Sequence, residues 1–357
     1  MSELRINNIT DRAGSSGPII AGVSTVTSTS HMVMPSGPTE FRGGRGRGVV
    51  MGGRDHPTAY SRIDLVEIAT AGNTTDFGDL AFAMSGGSGG ASSSTRAFSI
   101  GGYNSDVGAL TTTMQYIVIS SSGGANEFGD LRNNNTANGA GSNNTRGLLY
   151  GGNNPIYLSS IVQFNLQSLG TESDFGTVFE GLAIRNVATA TSPTRAIFGG
   201  GDQNAGQTSL IAFREIASGG TVFKFGELTY TANGHEKASS STRGVFAGGK
   251  AAPTTVSNID FITITSEGNG QDFGDLTQAR RNIAGNSNSI RATFAAGTTA
   301  SSGTGNNVNT IDFITIATTG NASDFGDLAN VARASNMGGS DSHGGIGDYI
   351  SIYQTLK

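Results

Sequence analysis

One five-residue motif recurs six times along the chain, and any fold must place all six copies. It reads DFGDL at 76–80, EFGDL at 127–131, DFGTV at 174–178, KFGEL at 224–228, and DFGDL again at 272–276 and 324–328. The aromatic anchors are Phe77, Phe128, Phe175, Phe225, Phe273 and Phe325, so successive copies lie 51, 47, 50, 48 and 52 residues apart. A period near 50 residues indicates a repeat architecture, in which each unit is one supersecondary element that buries its faces against its neighbours.

The register within each unit is tighter than the period. A glycine stands five residues before every anchor: Gly72, Gly123, Gly170, Gly220, Gly268 and Gly320. An apolar run begins fourteen residues before each anchor, as in IDLVEI (63–68), MQYIVI (114–119) and IDFITI (259–264 and 311–316). Further upstream, each unit has a strand opened by arginine and closed by small residues, such as RGVVMGG (47–53) and RGVFAGG (243–249). The arginines are Arg47, Arg96, Arg146, Arg195, Arg243 and Arg291. Downstream of the anchor, small-residue segments begin near 82, 132, 182, 230, 279 and 332. We letter the strands by position in the unit: A for the small-residue segment, B for the arginine strand, C for the apolar run and D for the strand carrying the anchor.

Four short strands per 50 residues is the blade pattern of a β-propeller. The 55 glycines, with recurring Ile, Val, Thr and Phe, agree with an all-β chain rich in tight turns. Small residues suit A as the innermost strand, and the Phe anchors read as core between blades. The glycine after each Phe is expected to turn the chain, and each arginine to pair with a nearby acid: Asp79, Asp130, Glu227, Asp275 or Asp327. The last small-residue segment, ARASNMGGSDSH, has no unit after it, and the first B–C–D set has none before it. Pairing the two gives a closed six-bladed propeller without free edges. A seven-bladed ring is the alternative, because GDYISI (347–352) aligns with IDFITI.

The order of arginine, small strand, diglycine, apolar strand and aromatic–x–x–Leu resembles the kelch repeat over residues 43–345. The diglycines at 52–53, 101–102, 151–152, 199–200 and 248–249 carry the likeness; this chain has Phe where that family usually has Trp. Residues 1–42 fit no unit and are expected to form an extended N-terminal arm for docking or oligomerisation, with 43–345 the propeller and 346–357 a tail strand. The opening MSELRINNITDRAGSSGPIIAGV, the units of form TRGVFAGG…NIDFITI…DFGDL, and the closing SDSHGG resemble tail-fibre-like virion proteins of marine tailed bacteriophages, especially those infecting cyanobacteria. That resemblance implies a virion component assembled in the host cytoplasm. Its arm would anchor to other tail or capsid proteins, its propeller would face host envelope glycans, and it would be a homo-oligomer in the particle. A capsid-surface decoration protein and a propeller glycan depolymerase are the alternatives.

Other chemistries find little support. The DFG letters belong to kinases only alongside a catalytic loop and a strand lysine, and neither is present. The four histidines lack metal-ligand spacing, and there is no cysteine. We therefore expect no enzyme, no catalytic residues, no metal and no cofactor. A formal charge of −5 disfavours nucleic acid despite the RGG-like tract at 41–54. No apolar stretch is long enough to span a membrane, and no secretory leader stands at the N-terminus. Unit lengths vary mainly in the B–C connections, whose loops would emerge together on one face. From these we select Tyr60, Tyr103 and Tyr157 as candidate ligand contacts.

Overall fold

The computed structural model describes residues 46–86, 90–302 and 305–346. The expected arm and the GDYISI segment, on which a seventh unit depends, lie outside the described residues. Within them the chain is all-β and antiparallel, its only helix a 3₁₀ turn at Phe179–Gly181.

Each repeat builds one sheet in the strand order A–B–C–D. In the third these are Gly139–Ser142, Arg146–Tyr150, Ser160–Asn165 and Ser173–Thr177. The fourth, fifth and sixth repeats follow the same order, while in the second, strand A is reduced to a bridge between Ser92 and Ala97. In the first sheet, strand A comes from the other end of the chain: Met337–Ser340 pairs with Arg47–Met51 in the register Met51↔Met337. The A strands of the third to sixth repeats and the last one, Met337–Ser340, start five to seven residues later than the sequence suggests, because an irregular connection intervenes after D. Apolar layers lie between successive sheets. One joins Val49, Ile63 and Phe77 to Ala97 and Ile117, and another joins Phe325 and Ile311 of the sixth sheet to Val50 and Val66 of the first.

The repeated motif is a β-bulge. In the first sheet Ile63 pairs with Gly78 and Asp64 with Asp76, so Phe77 is the extra residue of strand D. Phe128, Phe175, Phe225, Phe273 and Phe325 are skipped in the same way. A bulged residue has no ladder partner. Its side chain is free to enter the core, where all six anchors are buried. Its carbonyl is free to accept from outside the sheet: Phe77 O from Gly123 N (2.8 Å), Phe128 O from Gly170 N (3.2 Å), Phe225 O from Gly268 N (2.9 Å), Phe273 O from Gly320 N (2.7 Å) and Phe325 O from Gly72 N (2.8 Å). Each donor is the C–D turn glycine of the following sheet, and in the last case that sheet is the first.

Contrary to expectation, the glycine of the motif does not turn the chain. It permits the neighbouring sheet's approach: a Cβ on Gly78 would lie 2.3 Å from Gly123 O, and one on Gly274 2.5 Å from Gly320 O. The arginines also differ from expectation. Arg96, Arg146, Arg195 and Arg243 each send a terminal guanidinium nitrogen to the backbone carbonyl that follows strand C of the next sheet: Leu166, Ile216, Ile264 and Ile316. Arg47 reaches Ile119 O and Arg291 reaches Ala69 O. Five of the six guanidinium groups also lie over aromatic rings, Arg96 on Tyr116 at 4.5 Å for instance. None pairs with the acids named above. Asp79, Asp130 and Asp275 instead accept from Ser61, Thr112 and Ser257 at the start of strand C. The reason is register: Arg47 stands opposite Glu67, whereas Asp79 stands opposite Arg62, at the other end of the sheet.

Candidate functional site

Two girdles of hydrogen bonds link the A strands. One is made of hydroxyls. Ser92 N donates to Ser142 Oγ (2.8 Å), Ser239 N to Ser287 Oγ (3.2 Å), Ser287 N to Ser340 Oγ (3.4 Å) and Ser340 N to Ser92 Oγ (3.1 Å), with Thr191 N reaching Ser239 Oγ at 3.4 Å. A hydroxyl at one register position of strand A thus satisfies an amide of the adjacent A strand. Between Ser142 and Thr191 this girdle is interrupted, and the segment after the last strand occupies the gap. His343 Nδ1 accepts from Gly345 N (3.1 Å), while Nε2 faces Ser92 O at 2.9 Å. That pattern fixes a neutral imidazole protonated at Nε2. Burial pushes the pKa of His343 down to about 4. Glycine is required beside it, since a Cβ on Gly345 would fall 1.9 Å from Ser142 O.

The second girdle is backbone only. Gly86 N donates to Ser335 O, Ser335 N to Asn282 O, Asn282 N to Gly234 O, Gly234 N to Asn186 O, Asn186 N to Ala137 O, and Ala137 N to Gly86 O, at 2.6–3.3 Å. The sixth bond returns to the residue that began the series. All six residues hold left-handed backbone, with φ between 53° and 65°.

Between the girdles the A strands enclose a polar interior. A cavity of about 20 Å³, room for about one water, is lined by Thr189, Lys237, Asn286 and His343 among others. At the backbone girdle lies a separate well of about 160 Å³, lined by residues of that girdle with Thr136, Asn138, Val187, His235, Glu236, Ile283 and Asn336. The acid in this well is ion-paired: Glu236 meets Lys237 Nζ at 2.8 Å. His235 is buried, its Nε2 2.8 Å from Gly199 O, its Nδ1 without a partner. Desolvation lowers its pKa to about 4, so the ring is neutral.

The loop face surrounds this well. The B–C connections fold into small hairpins, Tyr103–Asn104 with Ala109–Leu110 and Lys250–Ala251 with Thr254–Thr255 among them, and bridge to the D–A connections beside them. Of the three tyrosines selected from sequence, Tyr103 is 40 % exposed in its hairpin. Tyr60 is half-buried opposite Met84, and Tyr157 lies half-buried under the Arg185 guanidinium, 4.5 Å from its carbon. Tyr60 and Tyr103 flank the first repeat's D strand in one sheet, opposite Met84 and Ser85 respectively, whereas Tyr157 lies in the third repeat; no ring contact among the described residues joins any two of them. The well escaped sequence reading because its recurring feature is a backbone angle, carried by Gly, Ala, Asn or Ser.

One sheet pair breaks the pattern. Between the third and fourth sheets Arg214, 1 % exposed, inserts where the others have a direct glycine contact. Its guanidinium donates to Phe175 O (2.7 Å) and Gly220 O (3.1 Å) and stacks 3.9 Å from the Phe175 ring centre, beside an open cleft of about 530 Å³. Comparison with known proteins finds no family model that matches the chain and no curated protein similar to it.

Proposed function

We propose that the six sheets close into a six-bladed β-propeller of kelch-like organisation, and that the protein is a virion appendage presenting its loop face to host-surface glycans. Closure is supported by the backbone girdle, whose six bonds come back to their origin, and by the bulge carbonyls and the hydroxyl girdle, each of which joins the last sheet to the first and has one interruption elsewhere. The observation that carries the functional reading is where the repeats diverge. The arginine-to-carbonyl contacts recur in all six units, so that side of each sheet serves assembly. The B–C hairpins and the central well vary from unit to unit, and variable loops on a rigid scaffold are where recognition resides. The role in a virion rests on the resemblance of the leader and repeats to tail-fibre-like proteins, with residues 1–42 as the anchor to tail or capsid and copies associating in the particle.

The test is retention of the purified, fluorescently labelled chain on cells of the host, before and after enzymatic stripping of surface polysaccharide. Retention that is lost on stripping is the expected result. Absence of retention on every host envelope overturns the adhesive role, and sugar release from the polysaccharide would turn the reading toward a depolymerase. Density for the propeller on intact particles by electron cryomicroscopy tests the virion assignment separately.

A further inference from the structure

We propose that the central well, rather than the tyrosines of the loop face, holds one neutral sugar unit of the glycan; this rests on the glycan-binding reading above. Four observations converge on a neutral polyhydroxylated ligand. Glu236 and Lys237 neutralise one another, so the well offers no net charge to select an ion. The groups that line it supply both donors and acceptors: the carboxamides of Asn186 and Asn282, the Ser335 hydroxyl and the imidazole of His235. The His235 Nδ1 lone pair, buried and without a partner, is the acceptor a ligand hydroxyl would satisfy. Val187 and Ile283 add an apolar wall suited to the C–H face of a pyranose.

The girdle residues point the same way. Left-handed backbone suits glycine best, and Gly86 and Gly234 follow that rule. Asn186, Asn282 and Ser335 keep side chains in the same conformation, with φ of 53°, 55° and 59°. Of the four girdle residues that are not glycine, Ala137 carries only a methyl and the other three carry polar side chains, and all four line the well. Asn186 Nδ2 has a distant bond of 3.4 Å to Asp202 Oδ2, and the Asn282 carboxamide makes no hydrogen bond within the chain among the described residues.

This arrangement allows a test in which folding and binding separate. The full chain is titrated with glucose, galactose, mannose, N-acetylglucosamine and, as a charged control, glucuronic acid, using saturation-transfer NMR and calorimetry. Saturable binding of at least one neutral sugar is expected. The Asn282→Gly and Asn186→Gly/Asn282→Gly variants should hold their melting temperature or raise it, and bind about tenfold or more weakly. Tyr103→Ala should bind as the parent does. No saturable binding by the parent, equal binding by the double variant, or preference for the charged control would each overturn the proposal. Retention on host cells distinguishes the two readings. A double variant that stays on cells while failing to bind sugar overturns only the seat of the ligand in the well. Loss of parent retention as well overturns the adhesive role beneath it.

Discussion

A bulged phenylalanine followed by glycine performs two tasks that a regular strand residue cannot. The phenylalanine gives its side chain to the layer between sheets and its carbonyl to the next sheet's turn, and the glycine keeps that turn within reach. The near-contact differs at one place, which makes it measurable. A Cβ on Gly274 would lie 2.5 Å from Gly320 O, whereas on Gly176 the nearest atom would be Arg214 Nη1 at 3.5 Å. Both glycines have positive φ, 142° and 120°, so either alanine variant carries backbone strain of about 1 kcal/mol. Only Gly274→Ala must also displace a neighbouring backbone, at a further cost of roughly 1–3 kcal/mol. Gly274→Ala should therefore be the more destabilised in urea, followed by circular dichroism because the chain has no tryptophan. Equal losses in the two variants would mean that the close approach of the sheets contributes nothing.

At the scale of strands, the second position of strand C faces the D–A connection of the sheet before it, and the two positions change together. Asp64 meets Arg333 at 2.5 Å, Asp312 meets Arg280 at 2.9 Å, and Gln115 meets Met84. Asp260 is the exception: Ala232 occupies the place of the arginine, and Tyr230 fills the space by bonding Asn258 O and Gly248 O. Fully buried, Asp260 accepts from Thr229 N and Oγ1 at 2.7 Å and has no ion pair among the described residues. Desolvation raises its pKa. An acid with a raised folded-state pKa stabilises the fold most below its unfolded-state value, and that contribution is lost as pH rises through the folded-state value. Asp260→Asn should thus raise the melting temperature at pH 8 and lose its advantage toward acid pH, read by calorimetry across the range. An unchanged or lower melting temperature at pH 8 would mean that the two threonine bonds outweigh the cost of the buried charge. This coupling also bears on what sequence could convey. Strand number and the buried anchors were legible because the period is carried by side chains. The arginine contacts were misread because spacing along the chain does not say which end of a sheet a residue occupies. The central well was invisible because it depends on φ, which Asn186, Gly234 and Ser335 share with no side chain in common.

Across the whole molecule, the two ends of the described chain meet on one sheet: Arg47 N donates to Asp341 Oδ1 at 3.0 Å, and His343 sits two residues further on, among the A strands. Two neutral imidazoles are therefore built into the interior where all the sheets converge, His235 by the well and His343 in the gap of the hydroxyl girdle. Each has a folded-state pKa pushed down to about 4, against an ordinary value of 6.5. A base with a depressed folded-state pKa takes up its proton in the unfolded chain first. Its contribution is complete above about pH 6.5, declines as pH falls toward 4, and is gone below that. Each shift corresponds to roughly 3 kcal/mol at the end of that window. Asp260 acts in the opposite sense, so the effect is cleanest in the Asp260→Asn background. There, unfolding free energy should fall steeply between pH 6.5 and 4, and His343→Gln, whose amide can both accept from Gly345 N and donate to Ser92 O, should flatten about half of that slope. Because His343 lies where several sheets meet, its protonation should loosen the A strands together, visible as parallel loss of hydrogen-exchange protection at Ser92, Ser239, Ser287 and Ser340. Protection lost at Ser92 alone, with the others held, would confine the imidazole's effect to the stability of one sheet.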